Sequence, residues 1–245
     1  MAVVQMLSPD AFIGEVRAIR AKAFKYSEHP FIVALKQGKA PKKHVQEWAK
    51  QMYIVLNHTG RSNGFIYANC ADPDLRPTLA NVIADEETST QCGSDSHIRL
   101  HAKFCRAIGV TDQELKQERP VAAVKEGLEW LMEVRKSKPS ALALSTSIEE
   151  PAVGLWALLA DAFRKHYGLN DDDVEMWTVH AEGDIEHGDL GSRLILGYGT
   201  TAERQREVLD TVKKGVDNFW RIFDGAFRAH ELLRVGEPGW AWAPR

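Results

Sequence analysis

Apolar positions recur along this chain at intervals of three and four, the spacing of one helical face. Phe12, Val16, Ile19 and Ala23 keep that spacing behind Ser8-Pro9-Asp10, an N-cap followed by proline at the first helical position. Gly38 and Pro41 punctuate the chain, and Val45, Trp48, Ala49, Met52, Tyr53 and Leu56 predict a second helix. A third, opened by Asp72-Pro73 or by Pro77, carries Leu79, Val82 and Ile83. It runs into Asp85-Glu86-Glu87 and should break near Cys92-Gly93-Ser94. A fourth starts at Ser94 to Ser96 and ends at Gly109. Thr111 and Glu114 fit a capping box, and the run after Pro120 is amphipathic through Val121, Val124, Leu128, Leu131 and Met132.

Pro139-Ser140 restarts the chain into a segment reaching Tyr167-Gly168. Pro151 cannot donate to the carbonyl of Ser147, so a kink or break is expected directly after Glu149-Glu150. A helix capped by Asn170-Asp171 extends to Gly197. Thr200 and Glu203 read as a capping box before a long helix with Val208, Val212, Val216, Phe219, Phe223 and Phe227. Alternating strand patterns are missing, and Asn63-Gly64 is expected to interrupt a helix rather than turn a hairpin. No linker, repeat or low-complexity tract divides the sequence. The pattern predicts one all-α domain over residues 1–245, an apolar bundle of roughly eight helices. A short tail from about residue 236 carries Trp240 and Trp242, which should pack on the domain itself or on a dimer mate.

Composition narrows the classes. Hydrophobic residues make up 44% of the 245 and charged residues 27%, as in soluble globular proteins. A net charge of −3 with no Lys/Arg block gives no footprint for nucleic acid. The three cysteines, Cys70, Cys92 and Cys105, form neither a disulfide framework nor a zinc knuckle. The first residues lack the regions of a signal peptide, and no run is long and apolar enough to span a membrane. A cytoplasmic protein is expected.

The candidate chemistry lies in Val179-His-Ala-Glu-Gly-Asp-Ile-Glu-His187. His180, Asp184 and His187 occupy positions i, i+4 and i+7, within about 60° of one another on a helical face. Two imidazoles and a carboxylate on one stripe suit a metal ion, though such a stripe can also be a solvated polar face. A bundle site needs donors from several helices. Glu86 and Glu87 end one helix, His97 and His101 begin the next, and Glu149 and Glu150 precede Pro151. Glu87 and His97 would stand about 15 Å apart on a straight helix, so the break at Gly93 is needed to unite them. Spacing leaves open which member of each pair takes part.

The order of these motifs resembles the heme-oxygenase-like diiron oxidases and oxygenases. It runs Ala84-Asp-Glu-Glu87, His97 within Ser96-His-Ile-Arg-Leu-His101, a mid-chain glutamate, then His180, Asp184 and His187. The resemblance spans most of the chain, from His29-Pro-Phe to the last helix. It implies a compact helical domain that holds two iron ions with three carboxylates and three histidines and uses O2 as co-substrate. Carried over, the metal ligands are Glu87, His97, Glu149 or Glu150, His180, Asp184 and His187. Pro151 departs from the pattern next to the mid-chain pair. The resemblance also implies that the segment bearing Glu87 and His97 orders when iron binds. Residues 88–96 are almost wholly polar and poor in helix formers, which makes local opening cheap.

The resulting expectation is a non-heme diiron oxidase or oxygenase acting on a small organic substrate such as an amino acid, amine or fatty acid. An external electron donor belongs to that chemistry. Related thiaminase-type hydrolases use a cysteine on the mid-chain helix, and the region from Ala141 to Tyr167 has none. A cofactor-free quinone synthase shares Asp184-Ile-Glu-His-Gly188 but lacks the full ligand set. A metal-independent enzyme of this fold and a non-catalytic helical binding protein are the competing readings.

Overall fold

The computed structural model describes residues 5–22, 26–88, 93–147 and 149–233; for 149–153 and 180–190 it describes the helical backbone alone. The described residues form twelve α-helices and one 3-10 turn, with no strand among them. In chain order the helices are α1 (Pro9–Lys22), α2 (Pro30–Lys36), α3 (Lys42–Ala68), α4 (Arg76–Thr88), α5 (His97–Ala107) and α6 (Asp112–Gln117). They continue with α7 (Ala122–Ser137), α8 (Ser140–Ser145), α9 (Glu149–Tyr167), α10 (Glu175–Tyr198), α11 (Ala202–Phe227) and α12 (Ala229–Leu233). The 3-10 turn spans Tyr26–Glu28. Among described residues, no helix is long and apolar enough to cross a membrane. Ala23, Cys92 and the Trp240/Trp242 tail lie outside the described residues.

Helix α3 is the axis of the bundle, touching α4, α5, α7, α8, α11 and α12, while α10 lies along α9. Between them sits an aromatic core. Trp48 of α3 stacks on Trp177 of α10 with ring centroids 5.4 Å apart. Trp156 of α9 stacks on the same indole at 5.7 Å, and Phe104 of α5 meets it edge-on at 5.2 Å. Each such ring removed from water contributes about 1.5–3 kcal/mol, so α10 is fixed at its first turn. His29 ties α2 to α11: its Nδ1 accepts from the Phe31 N–H at 3.1 Å. That leaves the proton on Nε2, which donates to Asp224 at 3.2 Å.

Four expectations need correction. Helix α3 runs unbroken through Asn63-Gly64 to Ala68. Arg135 of α7 donates to Ser62 Oγ at 2.7 Å and to Asn63 Oδ1 at 2.6 Å, holding the helix where glycine weakens it. The break near Pro151 falls before Glu149 instead of after Glu150, with α8 ending in a turn at Thr146. Pro151 is then the third residue of α9, in the first turn, where no backbone N–H is needed. Helix α10 begins at Glu175, because Asn170 and Asp173 exchange side chain–backbone hydrogen bonds in a separate turn first. The cap of α11 is Thr201, which accepts from Arg204 N–H, one residue later than the box read at Thr200 and Glu203. The Thr111–Glu114 box has both of its bonds.

Candidate metal centre

Two of the candidate segments meet where α4 ends and α5 begins. Gly93, at φ +91°, takes the left-handed conformation that turns the chain there. Ser96 precedes the first turn of α5, and His97 is its first residue, buried at 6% exposure. Its Nδ1 lies 2.9 Å from Glu86 Oε2. An ionised carboxylate only accepts, so Nδ1 carries a proton, and in the neutral ring Nε2 would hold the lone pair. That tautomer is the one in which an outer carboxylate orients a metal-binding imidazole. Asp85, the preceding residue, is also buried. Glu87 is exposed and extends over α3, its Oε1 3.2 Å from where a Cβ on Gly60 would stand.

His101, one turn after His97, does something different. It is fully buried, and its Nε2 lies 2.8 Å from the Ala49 carbonyl of α3. A carbonyl cannot donate, so Nε2 carries the proton. The ring meets Trp177 edge-on at 5.5 Å, inside the aromatic core. Of the two histidines, His97 is the one placed beside an acid among the described residues.

The other candidates lie on α9 and α10. Glu149 and Glu150 open α9, and His180, Asp184 and His187 fall within the continuous helix α10, so the helical spacing of the stripe holds. The side chains of these five lie outside the described residues. Among the described residues no three potential ligands cluster.

Nearby groups limit the chemistry. Burial pushes the Cys105 thiol far up, which removes it as a nucleophile at neutral pH. His58 of α3 is half-buried and its pKa is lowered by that burial, with Arg135 and Arg61 adding to the effect. The outer face of α5 carries a depression of about 270 Å³ lined by Ser94, Asp95, Arg99, Leu100, Lys103 and Arg106 among others. Its cations face acids: Arg99 meets Asp95 at 3.5 Å and Arg106 meets Asp112 at 2.9 Å. Lys103 is paired with Asp172 and reaches Glu175 at 3.4 Å. It is therefore not arranged as an anion site.

The model of the TENA/THI-4/PQQC family matches residues 16–153, more than half of the chain. The chain belongs to this family. The matched stretch includes Glu86, Glu87, His97, Glu149 and Glu150 and stops before the α10 stripe. The chain is 25% identical over 210 residues to a 4-aminobenzoate synthase of Nitrosomonas europaea, covering 81% of this chain and 84% of that protein. It is 26% identical over 242 residues to a pyrroloquinoline-quinone synthase of Cronobacter sakazakii, covering 96% and 93%. A domain of unknown function with a heme oxygenase-like fold from Shewanella denitrificans superposes with a TM-score of 0.72 at 13% identity, over 97% of this chain and 100% of that one. A CadD-like protein of unknown function from Nostoc punctiforme gives 0.72 at 17% identity, over 91% and 98%. The all-helical fold is heme-oxygenase-like.

Proposed function

We propose that this family member is a non-heme diiron oxidase or oxygenase acting on a small organic substrate in a biosynthetic step. The observation that carries the reading is the pairing of buried His97 with half-buried Glu86 across the α4–α5 break, an acid placed to orient a metal-binding imidazole. Its donor chemistry fits iron. The residues that would hold two ions are His97, Glu87 or Glu86, Glu149 or Glu150, His180, Asp184 and His187. Glu86 either orients His97 or replaces Glu87 in that set. When bound, the ferrous pair would supply the electrons for O2 reduction.

The chain's own residues do the rest. In its orienting role, Glu86 would hold the proton of His97 at Nδ1 and fix the ring plane. Trp48, Trp156 and Trp177 pack tightly just before His180 in α10, keeping water from that end of the helix. The relatives' names, 4-aminobenzoate synthase and pyrroloquinoline-quinone synthase, denote enzymes that make small molecules, which supports a biosynthetic role. The inert Cys105 and the absence of cysteine in α9 weigh against cysteine-based hydrolysis.

The test is anaerobic Fe(II) loading, metal quantification and O2 uptake with a panel of amino acids, amines and fatty acids. About two irons per chain are expected, as in bundle dinuclear sites, with O2 uptake that His180→Ala abolishes. A chain that holds no iron above background, and whose His180→Ala variant keeps its activity, is a metal-independent enzyme of this fold.

A further inference from the structure

The two sides of the candidate centre belong to different parts of the bundle, and one of the side chains that join them lies close to both. Glu175, in the first turn of α10, receives the Ser94 backbone N–H at 2.6 Å on Oε1 and the Ser94 hydroxyl at 2.8 Å on Oε2. Lys103 of α5 approaches the same carboxylate at 3.4 Å and is paired with Asp172 just before α10. Bonds to a carboxylate are charge-assisted and stronger than neutral ones. Ser94 stands three residues before His97, and Glu175 stands five before His180, about 7.5 Å along the axis.

Among the described residues, aromatic contacts between α5 and α10 lie further along α5, where His101 and Phe104 meet Trp177. That packing fixes the middle of α5. The segment that leads into α5, three residues before His97, is tied to α10 through the Ser94 bonds to Glu175.

We infer that Glu175 is a positioning residue for the metal centre: by clasping Ser94 and Lys103 it holds His97 in register with the His180–Asp184–His187 stripe. The inference rests on the diiron reading and adds to it the residue that sets how firmly the His97 side is held. Glu175 touches no metal in this scheme. Its effect passes through the backbone of residues 94–97, and it governs affinity without building the core.

The experiment compares wild type with Glu175→Ala, Glu175→Gln and Ser94→Ala. Each is loaded with Fe(II) without oxygen, and bound iron is measured by chelator competition. Amide hydrogen exchange is followed separately on the metal-free proteins by mass spectrometry. In Glu175→Ala, iron affinity should fall about tenfold, the scale of lost outer-shell support. Amides 94–98 should exchange faster, while those around Phe104 and Trp177 stay unchanged. Glu175→Gln keeps an oxygen acceptor and should recover part of the loss. Ser94→Ala, the guard against misfolding, removes one donor at an exposed site and should cost about threefold, as expected for one hydrogen bond. Wild-type affinity together with wild-type exchange at 94–98 in Glu175→Ala overturns the inference. A general rise in exchange across α5 and α10 also overturns it, by making Glu175 a fold residue. Wild-type protein that binds no iron overturns the diiron reading itself, a failure visible before any variant is compared.

Discussion

His97 and His101 stand one turn apart on α5, yet their surroundings give them opposite roles. His97 faces a carboxylate, and His101 donates to the Ala49 carbonyl within an aromatic cage. On this basis His97→Ala should strip iron, and His101→Leu should keep iron while costing about 1–3 kcal/mol of stability. Metal quantification beside denaturant unfolding checks both, and loss of iron in His101→Leu would put the ligand on the other histidine. The sequence offered these two as equals, because spacing alone cannot tell a carbonyl partner from a carboxylate. A second residue-scale prediction concerns pH. His44 stacks on His230 with centroids 3.9 Å apart, and its pKa is lowered to about 4 by burial and then by His230. Between about 4 and the ordinary value near 6.5 the unfolded chain binds the proton more readily than the folded one. The stabilisation is therefore complete above about 6.5 and drains away as pH falls toward 4. Thermal melts across that window should show the loss, and His44→Phe, which keeps a stacked ring, should remove part of it, on the order of 1–2 kcal/mol.

At the scale of elements, the periodic pattern placed most helices and misjudged their ends. The 3.6-residue repeat is local and can be read directly, whereas the events that extend or stop a helix here are long-range. Helix α3 survives Gly64 because Arg135, seventy-odd positions away, donates to Ser62 and Asn63 and also reaches Ser147 Oγ at 3.4 Å. Nothing near Gly64 in the sequence announces that guanidinium. If the tether is what sustains the second half of α3, Arg135→Met should destabilise the protein by about 2–4 kcal/mol. The loss should come with faster amide exchange at 60–68, ahead of the rest of the helix. Exchange that rises uniformly along α3 would assign the continuity to packing instead. The same reasoning explains why Glu175 was not singled out from the sequence. It is an ordinary acidic residue in a first turn until Ser94, eighty-one positions earlier, is brought against it.

For the whole molecule, the order of the motifs carried the fold class, and the all-helical, heme-oxygenase-like architecture follows that order. What the order could not carry is how firmly the four helices that bear the candidate donors are held relative to one another. The candidate donors are distributed over α4, α5, α9 and α10, so the proposed metal binding would draw on the mutual placement of all four. A ligand that binds only the folded state at a hundred times its dissociation constant adds about 2.7 kcal/mol. For a chain of this length that is a rise in Tm of roughly 5–10 °C. Fe(II)-loaded protein should therefore melt higher than the metal-free form under argon, and a chelator should reverse the gain. The gain should shrink in His97→Ala and His180→Ala alike, since each removes a donor from a different helix of the same centre. Equal melting with and without Fe(II), at concentrations where iron is demonstrably in excess, would mean that the four helices are not joined through a metal. The Glu86–His97 pair would then be an ion pair that closes the α4–α5 corner.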